Sequence, residues 1–278
     1  QLTLNWHELT AFLGARIDRL DFRSINVTGD VSAEFTESSF RAGIVYKLAS
    51  TSSIYANYSE SFSPQFDVDE APLIEEDQES ASRIIFISPA NAHQFEIGIK
   101  KSWFNEQLQS SCNGYRIVKS GIDSIIYEQK NEGIECDLAG SFGQGWHVTL
   151  GVSFMDSEIT ESTSEEVLGN RPRMTPEKQI RLWLSRDFTA WLDIPARWHL
   201  GYTYIDDRFI DTSNEDLLPS YSLVDAGLTL NINHWISLSI SGKNLSDERY
   251  TAGAFNALPF WTNQGQSRTY EARLKLLF

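Results

Sequence analysis

The sequence predicts an all-β chain folded as an antiparallel transmembrane β-barrel of about 12 strands. Three observations carry this. Apolar and polar residues alternate with a period of two in segment after segment. The segments are long for strands, and the joins between them are sorted by length.

The alternation is clearest from Trp146, where Trp146, Val148, Leu150, Val152 and Phe154 fall on one face and His147, Thr149, Gly151 and Ser153 on the other. Ile236, Leu238 and Ile240 alternate with serines, and Tyr270, Ala272, Leu274 and Leu276 with Glu271, Arg273 and Lys275. One apolar and one wet face is the signature of a strand rather than a helix. Read this way, the strands cover about 6–22, 38–49, 52–63, 93–104, 107–119, 131–142, 146–157, 177–188, 197–207, 221–232, 234–249 and 266–278, with ends uncertain by two to four residues. Most exceed the five or six residues usual in soluble sheets and match the roughly 9–11 that cross a bilayer at a tilt.

The joins at 49–51, 104–106, 143–145 and 231–233 are very short, and those at 64–92, 120–130, 158–176, 208–220 and 250–265 are long. Short and long joins alternate, apart from a moderate turn near 189–196. Outer-membrane barrels have this asymmetry, with tight periplasmic turns and long extracellular loops. With the long loops outside, the last strand runs inward, Phe278 ends at the periplasmic side, and the first strand starts there too. Trp6, Trp103, Trp146, Trp198 and Trp235 then lie at the periplasmic boundary, with Tyr58 and Tyr204 toward the outer one, as aromatic girdles require.

Composition narrows the alternatives. The 278 residues carry a net charge of −15, and Lys and Arg are too few for phosphate neutralisation, which excludes nucleic acid as a partner. The longest apolar run, Ile84–Ile87, is far short of the ~18–20 residues of a membrane-spanning helix. With 8 Trp, 10 Tyr and 16 Phe the chain is too aromatic for disorder. A mean hydropathy of −0.31 would suit a soluble acidic protein, but a barrel that hides its apolar residues one in two has the same average. The start, Gln1-Leu2-Thr3, has no Met, basic stretch or apolar segment, and reads as a processed product or a piece of something longer.

Several segments carry a family resemblance. Tyr55-Ala56-Asn57-Tyr58-Ser59-Glu60-Ser61-Phe62 resembles the Y-A-x-Y-S-x-S-F strand of TonB-dependent outer-membrane receptors. Phe95-Glu96-Ile97-Gly98-Ile99-Lys100 is similar to their Y-E-x-G-x-K strand, and Gly133-Ile134-Glu135-Cys136-Asp137 to G-x-E-x-[DE]. Asn244-Leu245-Ser246-Asp247-Glu248-Arg249-Tyr250 resembles N-L-F-D-x-x-Y, and Phe278 closes the last alternating strand as in this family. The motifs come in family order over nearly the whole chain, and the wording is nearest to the siderophore receptors. Such receptors hold an N-terminal plug inside a barrel of about 22 strands. Nothing in 1–278 resembles a plug. The resemblance therefore implies one domain, 1–278, the C-terminal part of such a barrel in the outer membrane of a Gram-negative cell.

By that resemblance the function is uptake of a ferric siderophore, without enzymatic activity. Iron arrives chelated, so no cofactor or protein metal site is implied. The implied partners are the siderophore, outer-membrane lipid and lipopolysaccharide, the TonB complex through the missing N-terminal part, and the barrel-assembly machinery, whose signal would be Tyr270 and Phe278. Two other classes stay open: a self-contained 12-stranded barrel acting as a passive pore or outer-membrane enzyme, and a soluble all-β binding protein.

The wet face carries Arg16, Asp18, Arg41, Lys47, Glu96, Lys100, Glu135, Asp137, Arg181, Asp225, Glu271, Arg273 and Lys275. Of these, Arg16, Arg41, Glu96, Glu135, Arg181, Asp225 and Arg273 are the candidates to hold a plug; a water-lined wall of mutually paired charges reads equally well. The join at 250–265 places Phe255, Phe260 and Trp261 beside amides with little charge, which suits a planar or apolar ligand, and equally suits packing on neighbouring loops. Tyr58 and Phe62 are the further ligand candidates. Acidic clusters such as Asp67, Asp69, Glu70, Glu75, Glu76, Asp77 and Glu79 either bind divalent cations that bridge lipopolysaccharide or simply keep a loop solvated, and nothing fixes two carboxylates at a glycosidase separation.

The five histidines are scattered without ligand spacing. Ser153 and His147 share a face but have no acid or oxyanion arrangement beside them. Cys112 and Cys136 fall on adjacent strands with lipid-facing parity, where a disulfide and two separate thiols both fit.

Overall fold

The computed structural model describes residues 1–26, 29–70, 82–123, 125–254 and 262–277, with side chains described except at 24–31, 66–70 and 82–87. The strands are β1 (Leu2–Trp6), β2 (Leu9–Asn26), β3 (Gly29–Ala49), β4 (Ser52–Glu70), β5 (Ser82–Trp103), β6 (Leu108–Ser120), β7 (Ile126–Phe142), β8 (Trp146–Ser162), β9 (Lys178–Thr189), β10 (Pro195–Ile205), β11 (Arg208–Phe209), β12 (Leu217–Leu218), β13 (Tyr221–Asn231), β14 (Ile236–Lys243), β15 (Thr251–Ala254), β16 (Thr262–Gln264) and β17 (Thr269–Leu276). Thirteen of them form one antiparallel sheet in chain order, and β11–β12 and β15–β16 form two small hairpins within loops. The sheet has β1 and β17 as its two edges.

Twelve of the thirteen strands follow the expected order. The thirteenth is β1, which turns at His7–Glu8 and pairs with β2 through Leu2–Leu13, Leu4–Ala11 and Trp6–Leu9. The apolar parity slips there from even numbers to odd, and that slip marks the tight turn, in which His7 takes a positive φ of 52°. The first strand therefore runs toward the short-turn end rather than starting from it.

Strand lengths also differ from expectation. The join expected at 64–92 is mostly strand, because β4 and β5 stay paired to Glu70–Ser82. The β2–β3 hairpin likewise stays paired to Asn26–Gly29, whereas β3 and β4 part at Arg41–Ser59, so two ribbons project beyond the wall. Glu75, Glu76, Asp77 and Glu79 lie outside the described residues. At the same end β14 stops at Lys243 instead of continuing to 249.

Direct cross-strand partners share a face, so the register sorts the side chains without ambiguity. One row crosses six strands as Tyr46, Ile54, Ile99, Cys112, Cys136 and Val152, and the next row as Ile44, Ala56, Ile97, Gly114, Ile134 and Phe154. These side chains project outward, Ile97 and Ile134 being 57% and 55% exposed. Large exposed apolar residues along a whole sheet face need a nonaqueous neighbour. Toward the long-loop end the same face ends in ion pairs, Arg19–Glu34 and Lys130–Glu158 at 2.6 Å and Arg116–Glu132 at 3.3 Å. Toward the short-turn end it ends in tryptophans, with Trp146 edge-on to Trp198 at 5.5 Å and stacked near Phe142 at 6.1 Å.

The opposite face is polar, and all thirteen wet-face residues named above fall on it. Several large side chains there lie flat over glycine: Phe12 over Gly43, Tyr55 over Gly98, Tyr115 over Gly133, Trp183 over Gly201 and His199 over Gly227. Trp183 and His199 also stack at 4.5 Å. Each glycine removes the Cβ that would otherwise lift its cross-strand neighbour away from the wall. The buried apolar cluster lies at the long-loop end, where Ile126, Ile159 and Val167 pack together with Ile122 against them.

Candidate functional site

The long-loop end is built as a layer of loops tied to one another. The stretch 163–177 folds back on β8, with the Ile159 amide donating to the Asn170 carbonyl and the Gly169 amide to the Ile159 carbonyl. Arg171, 18% exposed at its side chain, then bridges outward: one guanidinium nitrogen lies 3.1 Å from Asp207 and the other contacts Glu177. Asn214 receives the Arg171 amide on Oδ1 and donates back to the Arg171 carbonyl, both at 2.9 Å. Asn170 donates to the Thr212 carbonyl at 2.9 Å, and the Met174 amide to that of Phe209 at 2.7 Å.

The loop 206–220 is held from within by Asp211. Its carboxylate accepts from the Ser213 hydroxyl at 2.8 Å and from the Asp216 and Glu215 amides at 2.9 and 3.2 Å. Partial burial pushes this carboxyl up, and those donors outweigh it, holding the group below the usual carboxylate range.

Arg208 carries the layer on to the next loop. It is 3% exposed, lies 5.3 Å over the Tyr221 ring, and donates to the Thr251 carbonyl at 2.6 Å; its Nη1 has no hydrogen-bond partner among the described residues. Tyr221 in turn lies 4.3 Å from Tyr250. Three successive loops thus form one connected surface, by contacts between residues 36 to 44 apart in sequence. Composition had drawn attention to aromatics and acids, whereas the residues that build the layer are Asn170, Arg171, Arg208 and Asn214. No short-range pattern distinguishes them.

Asn244 explains the motif in which it stands. It is 3% exposed, donates through Nδ2 to the Glu248 and Gln266 carbonyls at 2.9 and 3.0 Å, and accepts the Glu248 amide on Oδ1 at 2.9 Å. Asp247 accepts the Arg268 amide at 3.1 Å and pairs with its guanidinium at 3.3 Å. The segment is a turn that gathers both ends of the last loop, which is why β14 ends at Lys243. Asn244 and Asp247 have φ of 49° and 55°, a region that Asn and Asp tolerate better than most residues.

On the polar wall, Glu96 accepts from the Tyr55 hydroxyl and from Gln94 at 3.0 Å. Arg16 pairs with Asp18 at 2.6 Å, Arg41 donates to Gln1, and Arg273 pairs with Glu271 at 2.7 Å. Asp225 accepts the Asn244 amide at 2.8 Å and so anchors the turn. Glu135 stands opposite Asn113 and Ser153, and Arg181 opposite Gly151 and Thr203, in the register. Both readings of the wall meet in these facts: some charges pair with each other, while Lys47, Lys100, Asp137 and Arg181 share a row running across the sheet.

At the short-turn end Ser141 lies 2.8 Å from His147 Nδ1, His147 Nε2 lies 2.9 Å from Asp187, and both Asp187 oxygens are taken by Arg197. The serine in contact with His147 is Ser141, brought there by the register of β7 and β8, while Ser153, which shares the face, stands opposite Glu135. The ion pair already neutralises the carboxylate, and the chain of bonds acts as a crossbar over β7 to β10.

The aromatic candidates divide. Tyr58 and Phe62 share the parity of the outward face, where Tyr58 approaches Phe40 at 6.5 Å and donates to Glu60 at 2.8 Å. That turns Tyr58 toward the membrane side rather than the loop layer. Phe255, Phe260, Trp261 and Phe278 lie outside the described residues. Tyr270 is 71% exposed on the outward face of edge strand β17. Cys112 and Cys136, directly opposed in the register, form a disulfide. No group of three or more metal-ligating side chains occurs among the described residues.

A family model described as "TonB dependent receptor-like, beta-barrel" matches residues 1–245. The chain is 26% identical over 287 residues to the probable TonB-dependent siderophore receptor PiuA of Acinetobacter baumannii, covering 95% of this chain and 38% of that one. It is 25% identical over 272 residues to the ferrioxamine B receptor of Salmonella typhimurium, covering 92% and 37%. Among solved structures it resembles the siderophore receptor PiuA from Acinetobacter baumannii with a TM-score of 0.76 at 24% identity, covering 97% and 41% of the two chains. The ferric preacinetobactin receptor BauA from the same organism gives 0.79 at 19%, covering 99% and 41%. The chain thus spans well under half the length of these relatives. The match is to a receptor family, which does not favour the enzyme or the free-standing pore. The polar wall, outward apolar band and loop layer are those of an outer-membrane barrel, and the chain belongs to the TonB-dependent receptor β-barrel family.

Proposed function

We propose that residues 1–278 are the C-terminal part of the barrel of a TonB-dependent receptor that takes up a ferric siderophore. The observation that carries this is the connected loop layer at the long-loop end of a wall with one polar and one apolar face. Such a layer presents a fixed surface over the mouth of the lumen, which is where a ligand must be caught before it can pass. The named relatives, a siderophore receptor and a ferrioxamine B receptor, support the class of cargo. On this reading the loops face outward from the cell and the short turns face the periplasm. Phe255, Phe260 and Trp261 contact the ligand, and iron enters already chelated.

Arg16, Arg41, Glu96, Glu135, Arg181, Asp225 and Arg273 face a plug supplied by the remainder of the receptor, which also makes the contact with TonB. Lipopolysaccharide lies against the ion-paired rim of the outward face, and Tyr270 with Phe278 forms the assembly signal. The test is binding of a panel of ferric siderophores to the full-length receptor in outer-membrane vesicles, followed by tryptophan fluorescence quenching. One siderophore is expected to bind saturably, and Trp261→Ala to weaken it by about tenfold, the loss of one good aromatic contact. Saturable binding of none of the panel, by a receptor that assembles normally, would remove the assignment of cargo.

A further inference from the structure

We infer that the Cys112–Cys136 bond is made in water, before β6 and β7 enter the bilayer, and that lipid then seals it for the life of the protein. The inference rests on the membrane placement of the wall and is independent of the cargo. The two cysteines are direct partners in the β6–β7 register, with Cα atoms 4.1 Å apart. They sit on the outward face between Ile99 and Val152, in the row below Ile97, Ile134 and Phe154. On the other side the next row holds Lys101, Ser110, Leu138, Leu150 and Leu182, with the Lys101 ammonium drawn 3.8 Å over the Trp103 ring at the short-turn boundary. The disulfide therefore faces the membrane within the apolar band, one row in from Lys101 and Ser110.

Disulfide chemistry needs a thiolate. One cysteine thiolate attacks a sulfur of a disulfide-bearing oxidant, giving a mixed disulfide. The second thiolate then displaces the oxidant, so that the two cysteines lose two electrons and two protons and the oxidant leaves as a dithiol. Hydrocarbon suppresses both steps, since an isolated anion there is strongly disfavoured and the large polar oxidant cannot reach the site. The same barrier protects the finished bond from reduction. The periplasm offers both water and an oxidising environment, so closure belongs there.

The consequence is a fixed register. A slip of one residue between β6 and β7 would send the two sulfurs to opposite faces, and a slip of two would part them by a full repeat along the strand. Once closed, the bond admits only the pairing seen here, and β6–β7 is delivered to the membrane as a hairpin already in register.

The test uses the receptor in isolated outer membranes. Free thiols are first blocked, the membranes are treated with a charged, membrane-impermeant phosphine, and newly exposed thiols are counted by mass-tag alkylation after denaturation. The control moves the pair to the polar face: Cys112→Ser and Cys136→Ser combined with Gln109→Cys and Ala139→Cys, which are also direct partners. In intact membranes the native bond should be reduced more than about tenfold more slowly than the control, and the two should converge after unfolding. Equal rates in intact membranes would overturn the sealing. Timing is read separately in cells in which barrel assembly is stalled. The unassembled periplasmic chain should already carry the bond, whereas free thiols there, with the bond confined to assembled receptor, would overturn the order of events even if the control variant fails to assemble.

Discussion

Single residues in this chain do most of their work by closing loops. Asn244 satisfies two carbonyls and one amide in a site that is 3% exposed. Asn244→Ala leaves those groups buried without partners, which should cost about 2–4 kcal/mol and lower the urea midpoint of the assembled barrel. Asn244→Asp keeps the acceptor but sets a carboxylate oxygen against both buried carbonyls, and should cost at least as much as the alanine variant; an unchanged midpoint for the alanine variant would contradict the role given to the motif.

Asp211 makes a prediction about pH. Folding lowers this carboxyl, so the folded loop favours its ionised form. The stabilisation is complete above the ordinary carboxylate value of about 4 and is lost as pH falls through the lowered one. Hydrogen exchange at residues 212–216 should therefore stay slow, after correction for intrinsic rate, from pH 7 to about pH 4 and rise only below that. Loosening already between pH 7 and about pH 5 would exclude Asp211 as the cause. Asp211→Asn, which gives up the anion, should loosen the loop across the whole range.

At the scale of elements, the sheet is organised by rows rather than by strands. The large side chains on the polar face lie flat because a glycine stands across from each, and two of these pairs make opposite predictions. A Cβ at Gly98 would meet the Tyr55 ring at 2.8 Å, a side chain that can be removed. A Cβ at Gly133 would meet the Phe154 carbonyl oxygen at 2.5 Å, which cannot. Both Gly98→Ala and Gly133→Ala should destabilise by about 1–3 kcal/mol. Adding Tyr55→Ala should restore much of the loss at Gly98, while adding Tyr115→Ala should leave most of the loss at Gly133. Equal rescue in the two double-mutant cycles would show that the backbone contact at Gly133 is not what limits the space.

For the whole molecule the decisive fact is that the sheet has two edges, β1 and β17. Each edge presents unpaired amides and carbonyls, and a bilayer offers them no partner. Residues 1–278 produced alone should therefore aggregate or associate through these strands, and, if they are part of a larger receptor barrel as proposed, co-production with the rest of that barrel should restore a soluble detergent complex. A stable monomer of 1–278 in detergent, with both edges freely exchanging their amides, would contradict this.

Much of this architecture was legible in the amino-acid order. A side chain's face is a local property with a period of two, so Trp146 to Phe154 and Ile236 to Ile240 declared their strands. The sorting of joins declared two unlike ends. Even β1 was written in the parity slip between Trp6 and Leu9, although the alternation on either side hid it. The lengths of the projecting ribbons were not legible, because polar residues past the membrane pair as readily as they loop. The loop layer was not legible either. Arg171 with Asp207, Asn214 with Arg171, and Arg208 with Thr251 are unions of distant residues with no periodic mark. The same holds for Ser141 with His147. By itself, then, the sequence determined the fold class, the two faces of the wall and the family wording, all of which rest on spacing along one chain. Only the tertiary structure decided which side chains meet, that Cys112 and Cys136 are bonded, and that the loops cohere. Contacts between strands depend on register, and register is settled by the packing of the whole sheet at once.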